Sequence, residues 1–172
     1  MFLLSRLWII LFGFFLVATA EAGFEEDYET KQWQEVEVQL PGVPNKGALQ
    51  SFYVSATTDN IFAIDTSSLS VGSDGVVRYV LQIASSEGAL TTSFEGMRCE
   101  TREWRIYASG RRDGSWSKSR VNAWSPIRDV PSNRQHAALF SEYFCPDGIA
   151  VRTAADAVNA LRRGGHPDVK RH

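Results

Sequence analysis

Residues 61–99 read IFAIDTSSLSVGSDGVVRYVLQIASSEGALTTSFEGMRC, and this stretch decides the fold. Asp74-Gly75 lies between the apolar runs LSV and VVRYVLQIA, a strong short-range hairpin signature. SSEGA, residues 85–89, turns the chain again into LTTSFEGMRC. Short runs rich in β-branched and aromatic residues, bounded by Gly, Ser and Asp, read as strands. Upstream, LQSFYVSA (49–56), NIFAID (60–65) and SLSVG (68–72) read as further strands, with Asp65 and Ser67 as turn formers whose side chains bond nearby backbone. Downstream, EWRIYASG (103–110) leads to a second Asp-Gly pair, Asp113-Gly114, with Trp116 after it. No helical period interrupts the series, so the middle of the chain is expected to be an antiparallel meander.

The last third changes period. SNRQHAALFSEYF (132–144) places His136, Leu139, Phe140, Tyr143 and Phe144 on one helical face, with Ser132 and Gln135 spaced as a capping box. Cys145-Pro146-Asp147-Gly148 stops it. A second helix is predicted over TAADAVNALRRGG (153–165), with Thr153 as N-cap, Asp156 in the first turn, and Arg162, Arg163 and Gly164 at its end. The expected class is α+β: an antiparallel β-meander sheet with C-terminal helices. Before the meander, VEVQL (36–40) alternates and reads as a candidate first strand inside an acidic flexible arm, residues 21–47. The domain proper is expected at 48–164, and residues 165–172 as a disordered tail.

The N-terminus reads as an export signal. Arg6 is followed by an apolar run from Leu7 to Val17, and Ala18-Thr19-Ala20 fits a small-residue cleavage site. The run is short for a bilayer span, which takes roughly 17–25 residues. Residues 1–20 are therefore expected to be removed after Ala20, with Ala22 as the second choice. This places the protein in the periplasm, with the cell surface as an alternative. In that compartment the only two cysteines, Cys99 and Cys145, read as a disulfide. Two free thiols are the alternative, and the absence of C-x-x-C spacing argues against a redox pair. A Cys99–Cys145 bond would tie the first helix to the sheet.

With 44% hydrophobic and 22% charged residues, the composition suits one globular domain with a real core. Charge is unevenly spread: residues 21–97 carry 3 basic and 12 acidic groups, residues 98–172 carry 14 and 8. Such asymmetry fits two halves that pack together, or an anionic partner for the basic half. The exposed basic patch is expected at Arg111, Arg112, Lys118 and Arg120, with Trp116 and Trp124 beside it. Lipid headgroups, lipopolysaccharide phosphates, peptidoglycan carboxylates or a protein partner could meet it. Strand alternation puts Glu95, Met97 and Cys99 on one face and Phe94, Gly96 and Arg98 on the other. A buried Glu95 needs a cation, and Arg78, Arg98, Arg102 and Arg105 are near in any meander. A structural Glu95–Arg105 pair is the expectation; a small hydrolase using Glu95 with Arg105 or Asp65 is the rival. His136 reads as a packed, hydrogen-bonded histidine. There is no H-E-x-x-H, G-x-S-x-G or phosphate loop. No cofactor, metal, nucleic-acid partner or stable membrane anchor after cleavage is expected, and the sequence assigns no oligomeric state.

The ordered set IFAIDTSSLSVGSDGVVRYVLQI, FEGMRCETREWRIYASGRRDGSW and FCPDG resembles the cryptic neisserial protein-like family of bacterial proteins, over about residues 28–164. The resemblance implies an exported protein of Gram-negative bacteria and no particular activity. The opening hairpins and the cysteine are also distantly similar to surface-adhesin protein E domains, an analogy of fold that implies a sheet with a disulfide-tied helix. A surface adhesin binding host or matrix proteins is thus a further alternative.

Overall fold

Three glycines in the left-handed region set the hairpins: Gly75 (φ +75°), Gly88 (φ +84°) and Gly114 (φ +83°). Only glycine adopts this conformation without strain. The three turns share one hydrogen-bond pattern. Gly72 N donates to Val76 O and Gly75 N to Gly72 O; Ser85 N to Ala89 O and Gly88 N to Ser85 O; Arg111 N to Ser115 O and Gly114 N to Arg111 O. The computed structural model describes residues 32–169; the expected signal peptide, the arm up to residue 31 and residues 170–172 lie outside the described residues.

These turns join β1 (Leu49–Phe52), β2 (Ile61–Val71), β3 (Val76–Ala84), β4 (Leu90–Arg98), β5 (Glu103–Gly110) and β6 (Trp116–Lys118). Each strand pairs antiparallel with its sequence neighbour, in the order β1 to β6. A two-residue strand, β7 (Ser125–Pro126), pairs with the first part of β5. NIFAID and SLSVG form one strand, not two, because β2 carries a wide irregularity between Asp65 and Ser70. There Asp65 accepts bonds from Ser67, and Ser68 Oγ accepts from Val80 N at 2.8 Å. The turn-forming role read for Asp65 and Ser67 is thus carried out inside a strand, as a bulge. A second bulge falls in β5, where Phe94 pairs with Ala108 but Glu95 with Ile106, leaving Tyr107 as the extra residue.

One face of the sheet packs on helices. Phe62, Ile64, Val77, Tyr79, Leu81 and Met97 meet Leu139, Tyr143, Phe144, Ala157, Ala160 and Leu161 in one buried cluster. Each large apolar side chain buried this way contributes about 1.5–3 kcal/mol. The first helix begins as α1 (Arg134–Ala138) and widens into a π-helical stretch over Leu139–Phe144. The Ser132–Gln135 capping box does not form, because a 3₁₀ turn over Pro131–Asn133 occupies that position. The second, α2 (Ala154–Arg163), has the Thr153–Asp156 capping box and ends at Gly164, φ +71°. Cys99 and Cys145 are bonded, with Cα atoms 5.5 Å apart, just past β4 and just past the π-helical stretch.

Two expectations about the ends are corrected. VEVQL pairs with no strand; residues 32–44 run as an extended strap without regular structure. Residues 165–169 are not a loose tail, since Gly165 N donates to Ala160 O at 2.8 Å and His166 N to Glu142 O at 2.7 Å.

Candidate functional site

The other face of the sheet presents Arg78 from β3, Arg98 from β4, and Arg105 and Tyr107 from β5, and the strap crosses it. The strap is held by side chains. Trp33 lies over the Arg98 guanidinium, 4.0 Å from ring centroid to carbon, and donates Nε1–H to Asp74 O at 2.8 Å. Val36 N donates to Asp74 Oδ2 at 3.0 Å, and Trp116 Nε1 to Pro41 O at 2.8 Å. Between these ties Glu35 receives three donors: Arg105 Nη1 at 2.7 Å, Arg78 Nη2 at 3.4 Å and the Tyr107 hydroxyl. The Tyr107 ring reaches Glu35 by crossing Gly96, where an added Cβ would stand 2.4 Å from the phenol oxygen. The β5 bulge and a glycine on the neighbouring strand β4 thus place one tyrosine.

Arg78 also binds both oxygens of Asp74, at 3.1 and 2.5 Å. Burial works against the Asp74 carboxylate, yet hydrogen bonds from Arg78, Val36 N and Val76 N, with the Arg78 charge, hold its pKa below the ordinary value. Burial, and then the hydrogen bond to Glu35, push the Tyr107 hydroxyl up, so it stays a donor near neutral pH. Two buried guanidiniums and two carboxylates are therefore charge-balanced, as buried ions must be.

Beside this cluster a cleft of about 330 Å³ opens between the strap and the outer edge of β5–β6. Glu35, Val36, Val38 and Leu40 line the strap side; Arg105, Tyr107, Lys118, Ser119 and Asn122 line the other. No carboxylate lies within 4.0 Å of Lys118 among the described residues. A larger cavity of about 700 Å³ lies by Tyr53 and Tyr143. Its one cation, Arg134, is already taken by Thr57 Oγ1 at 2.5 Å and Asp129 at 3.7 Å.

The structure divides the residues expected in the basic patch. Arg111, Arg112, Lys118 and Arg120 are exposed, and only Lys118 of them lines the cleft. Trp116 packs on Phe94 (6.3 Å between centroids) while donating to the strap. Trp124 meets Trp33 edge-on at 6.1 Å and the Arg105 guanidinium at 5.6 Å. Both tryptophans therefore support the strap. The residue that organises this face, Glu35, escaped the sequence reading, which took the acidic arm as flexible. Its signal was there: a lone Trp33-x-Glu35 pair ahead of a sheet whose back face carries three arginines.

Glu95 and Arg105 do not pair. They sit on adjacent rows of opposite faces, since Glu95 stands opposite Ile106 and Arg105 opposite Gly96. Arg105 turns to the strap, and Glu95 turns to the helices. There Glu95 Oε1 accepts from Ser93 Oγ at 2.6 Å and Oε2 lies 2.9 Å from His136 Nε2. His136 Nδ1 lies 2.6 Å from Asn133 Oδ1, and the ring stacks on Trp104 at 3.6 Å. The other candidate cations are engaged elsewhere: Arg98 with Glu100 at 3.2 Å, Arg102 with Ile127 O at 3.3 Å. Tyr79 faces Glu95 across the β3–β4 pairing, and burial, then the neighbouring carboxylate, raise its pKa well above the usual value. Glu95 and His136 are each 2% exposed and line none of the described cavities. The hydrolase alternative required an open cleft at Glu95 and spare hydrogen-bonding capacity, and this carboxylate has an enclosed position with both oxygens engaged. Asp65 is likewise spent, on Ser67 and on Asn45 N at 2.8 Å.

No curated protein and no solved structure matches the chain. The model of the CNP1-like family matches residues 28–162, which include the strap, all seven strands and nearly all of α2. The chain belongs to the CNP1-like family.

Proposed function

We propose that the protein is exported to the periplasm and acts there as a non-enzymatic domain that binds an anionic component of the envelope. The export half of this reading rests on the apolar N-terminal run with its small-residue cleavage site, and a disulfide inside the core suits an oxidising compartment. The binding half rests on one observation above the rest: Lys118 brings a charge that has no carboxylate partner among the described residues to the mouth of a cleft that already holds Arg105 and Tyr107. Arg111 and Arg112 on the β5–β6 turn, and Arg120 next to the cleft residue Ser119, add long-range attraction for an anion.

The test is co-sedimentation of the mature protein with phosphatidylglycerol vesicles, with lipopolysaccharide and with peptidoglycan sacculi. Retention on at least one of them is expected at about 0.1 M salt and lost near 1 M, where the Debye length falls from about 10 to about 3 Å. Lys118→Glu should abolish that retention. Retention that ignores both salt and the Lys118 charge would remove the cleft from the reading. Absence of retention on all three would remove the envelope ligand.

A further inference from the structure

We infer that Arg78, Arg105 and Tyr107 form a carboxylate-binding site which Glu35 fills from within the chain, and that an extended acidic peptide is the outside ligand that takes its place. This rests on the cleft reading above and names the ligand class for it.

Four observations carry it. The receptor side is rigid: Arg78 and Arg105 stand on central strands, with side chains 6% and 10% exposed. The occupant side is not. Among the described residues, 33–44 take part in no backbone–backbone hydrogen bond, and the strap is held by a few side-chain ties. Two of those ties end on one residue, Asp74.

Charge selects the ligand. Asp74 neutralises one guanidinium, so the site without Glu35 would hold one uncompensated buried positive charge, a costly state. A monoanion restores neutrality, and a phosphate dianion overshoots it. A planar carboxylate also matches guanidinium donors in geometry. Access and shape complete the case. Glu35 and Arg105 both line the cleft, so an entering carboxylate reaches Arg105 from solvent. The strap itself shows the backbone the site accepts: an extended segment with Glu35 and Glu37 alternating with Val36 and Val38.

The tethered strap competes with any outside peptide at an effective concentration in the millimolar range. Weakening the tether must therefore raise the affinity seen from outside. The probe is an end-blocked peptide of the strap's own sequence, WQEVEVQL, titrated by fluorescence anisotropy into the full mature protein. Glu35→Gln should bind it at least about tenfold more tightly than wild type, and a probe with Gln at its first Glu should lose that gain. Chymotrypsin cleavage after Trp33 should speed up in the same variant, and Glu35→Asp should restore both readings toward wild type. Trp33→Phe leaves every charge in place, removes the bond to Asp74 O, and puts a smaller ring against Arg98 and Trp124. It should also raise probe affinity, which keeps the test decisive if Glu35→Gln folds poorly. Equal probe binding by wild type and both variants, or binding indifferent to the probe's carboxylate, overturns the inference. If Lys118-dependent retention on envelope material persists alongside such a failure, the cleft reading stands and this inference alone falls.

Discussion

His136 Nε2 lies 2.9 Å from the Glu95 carboxylate, sealed beneath the stacked ring of Trp104. This pair, with Ser93 and Asn133 at its ends, is the polar bolt between the sheet and the first helix. The arrangement explains why a helix with an otherwise apolar inner face carries a histidine. Removing one partner leaves the other buried and unsatisfied. Glu95→Ala is therefore expected to lower stability by about 1–3 kcal/mol. Urea unfolding should show it as a lower midpoint with an unchanged slope.

The Cys99–Cys145 bond joins positions 46 residues apart. In the chain-entropy account, opening it costs up to about 4 kcal/mol by freeing the unfolded chain. A reductant, or paired Cys99→Ala and Cys145→Ala, should lower Tm without changing the strand signal in circular dichroism. Retention of the wild-type Tm in both cases would show that core packing alone fixes the helix.

Asp74 gives a pH dependence with a defined sign. Its pKa is lower in the folded protein than in the unfolded chain, where it is near 3.8. The stability it contributes is fully present above that value and disappears as pH falls through the depressed folded value. Asp74→Asn should cost about 1.5–3 kcal/mol at neutral pH, the range for hydrogen bonds to charged groups. The variant's stability curve should approach wild type in acid, and a constant gap down to pH 2 would contradict this account.

Gly96→Ala tests the route by which Tyr107 reaches the strap. The new methyl would meet the tyrosine ring, whose nearest atoms stand 2.4 to 2.9 Å away. Displacing the ring breaks its bond to Glu35. An overpacking cost of about 1–3 kcal/mol is expected, with faster exchange of the Val36 amide, which is bonded to Asp74. Unchanged exchange there would mean that Tyr107 does not hold the strap.

The meander was legible because its determinants are local. Gly75, Gly88 and Gly114 each needed only their own turn to be read. The helix face from His136 to Phe144 and the Thr153–Asp156 box were legible for the same reason. What escaped depends on distant partners. The alternation of VEVQL signals a chain lying on a surface, and nothing in those five residues says whether a strand or side chains will hold it. Glu95 was correctly placed in a buried layer, but its partner lies 41 positions away on a helix. Four arginines nearer in sequence drew the assignment, and the pleat turns Arg78, Arg98 and Arg105 to the opposite side. Trp116 and Trp124 look the same in sequence whether they meet a ligand or support a strap.

Because β1 to β6 each pair with their immediate sequence neighbours, most of the sheet is built from local pairings, and local pairings close their loops early and form fast. Hairpins of this size form in about 1–10 μs. The β-layer is thus expected to assemble by successive zippering before Cys145 can approach Cys99, so that oxidation records a finished sheet and does not guide its making. Pulsed thiol labelling during refolding of the reduced chain should find Cys145 still reactive after the strand signal has matured.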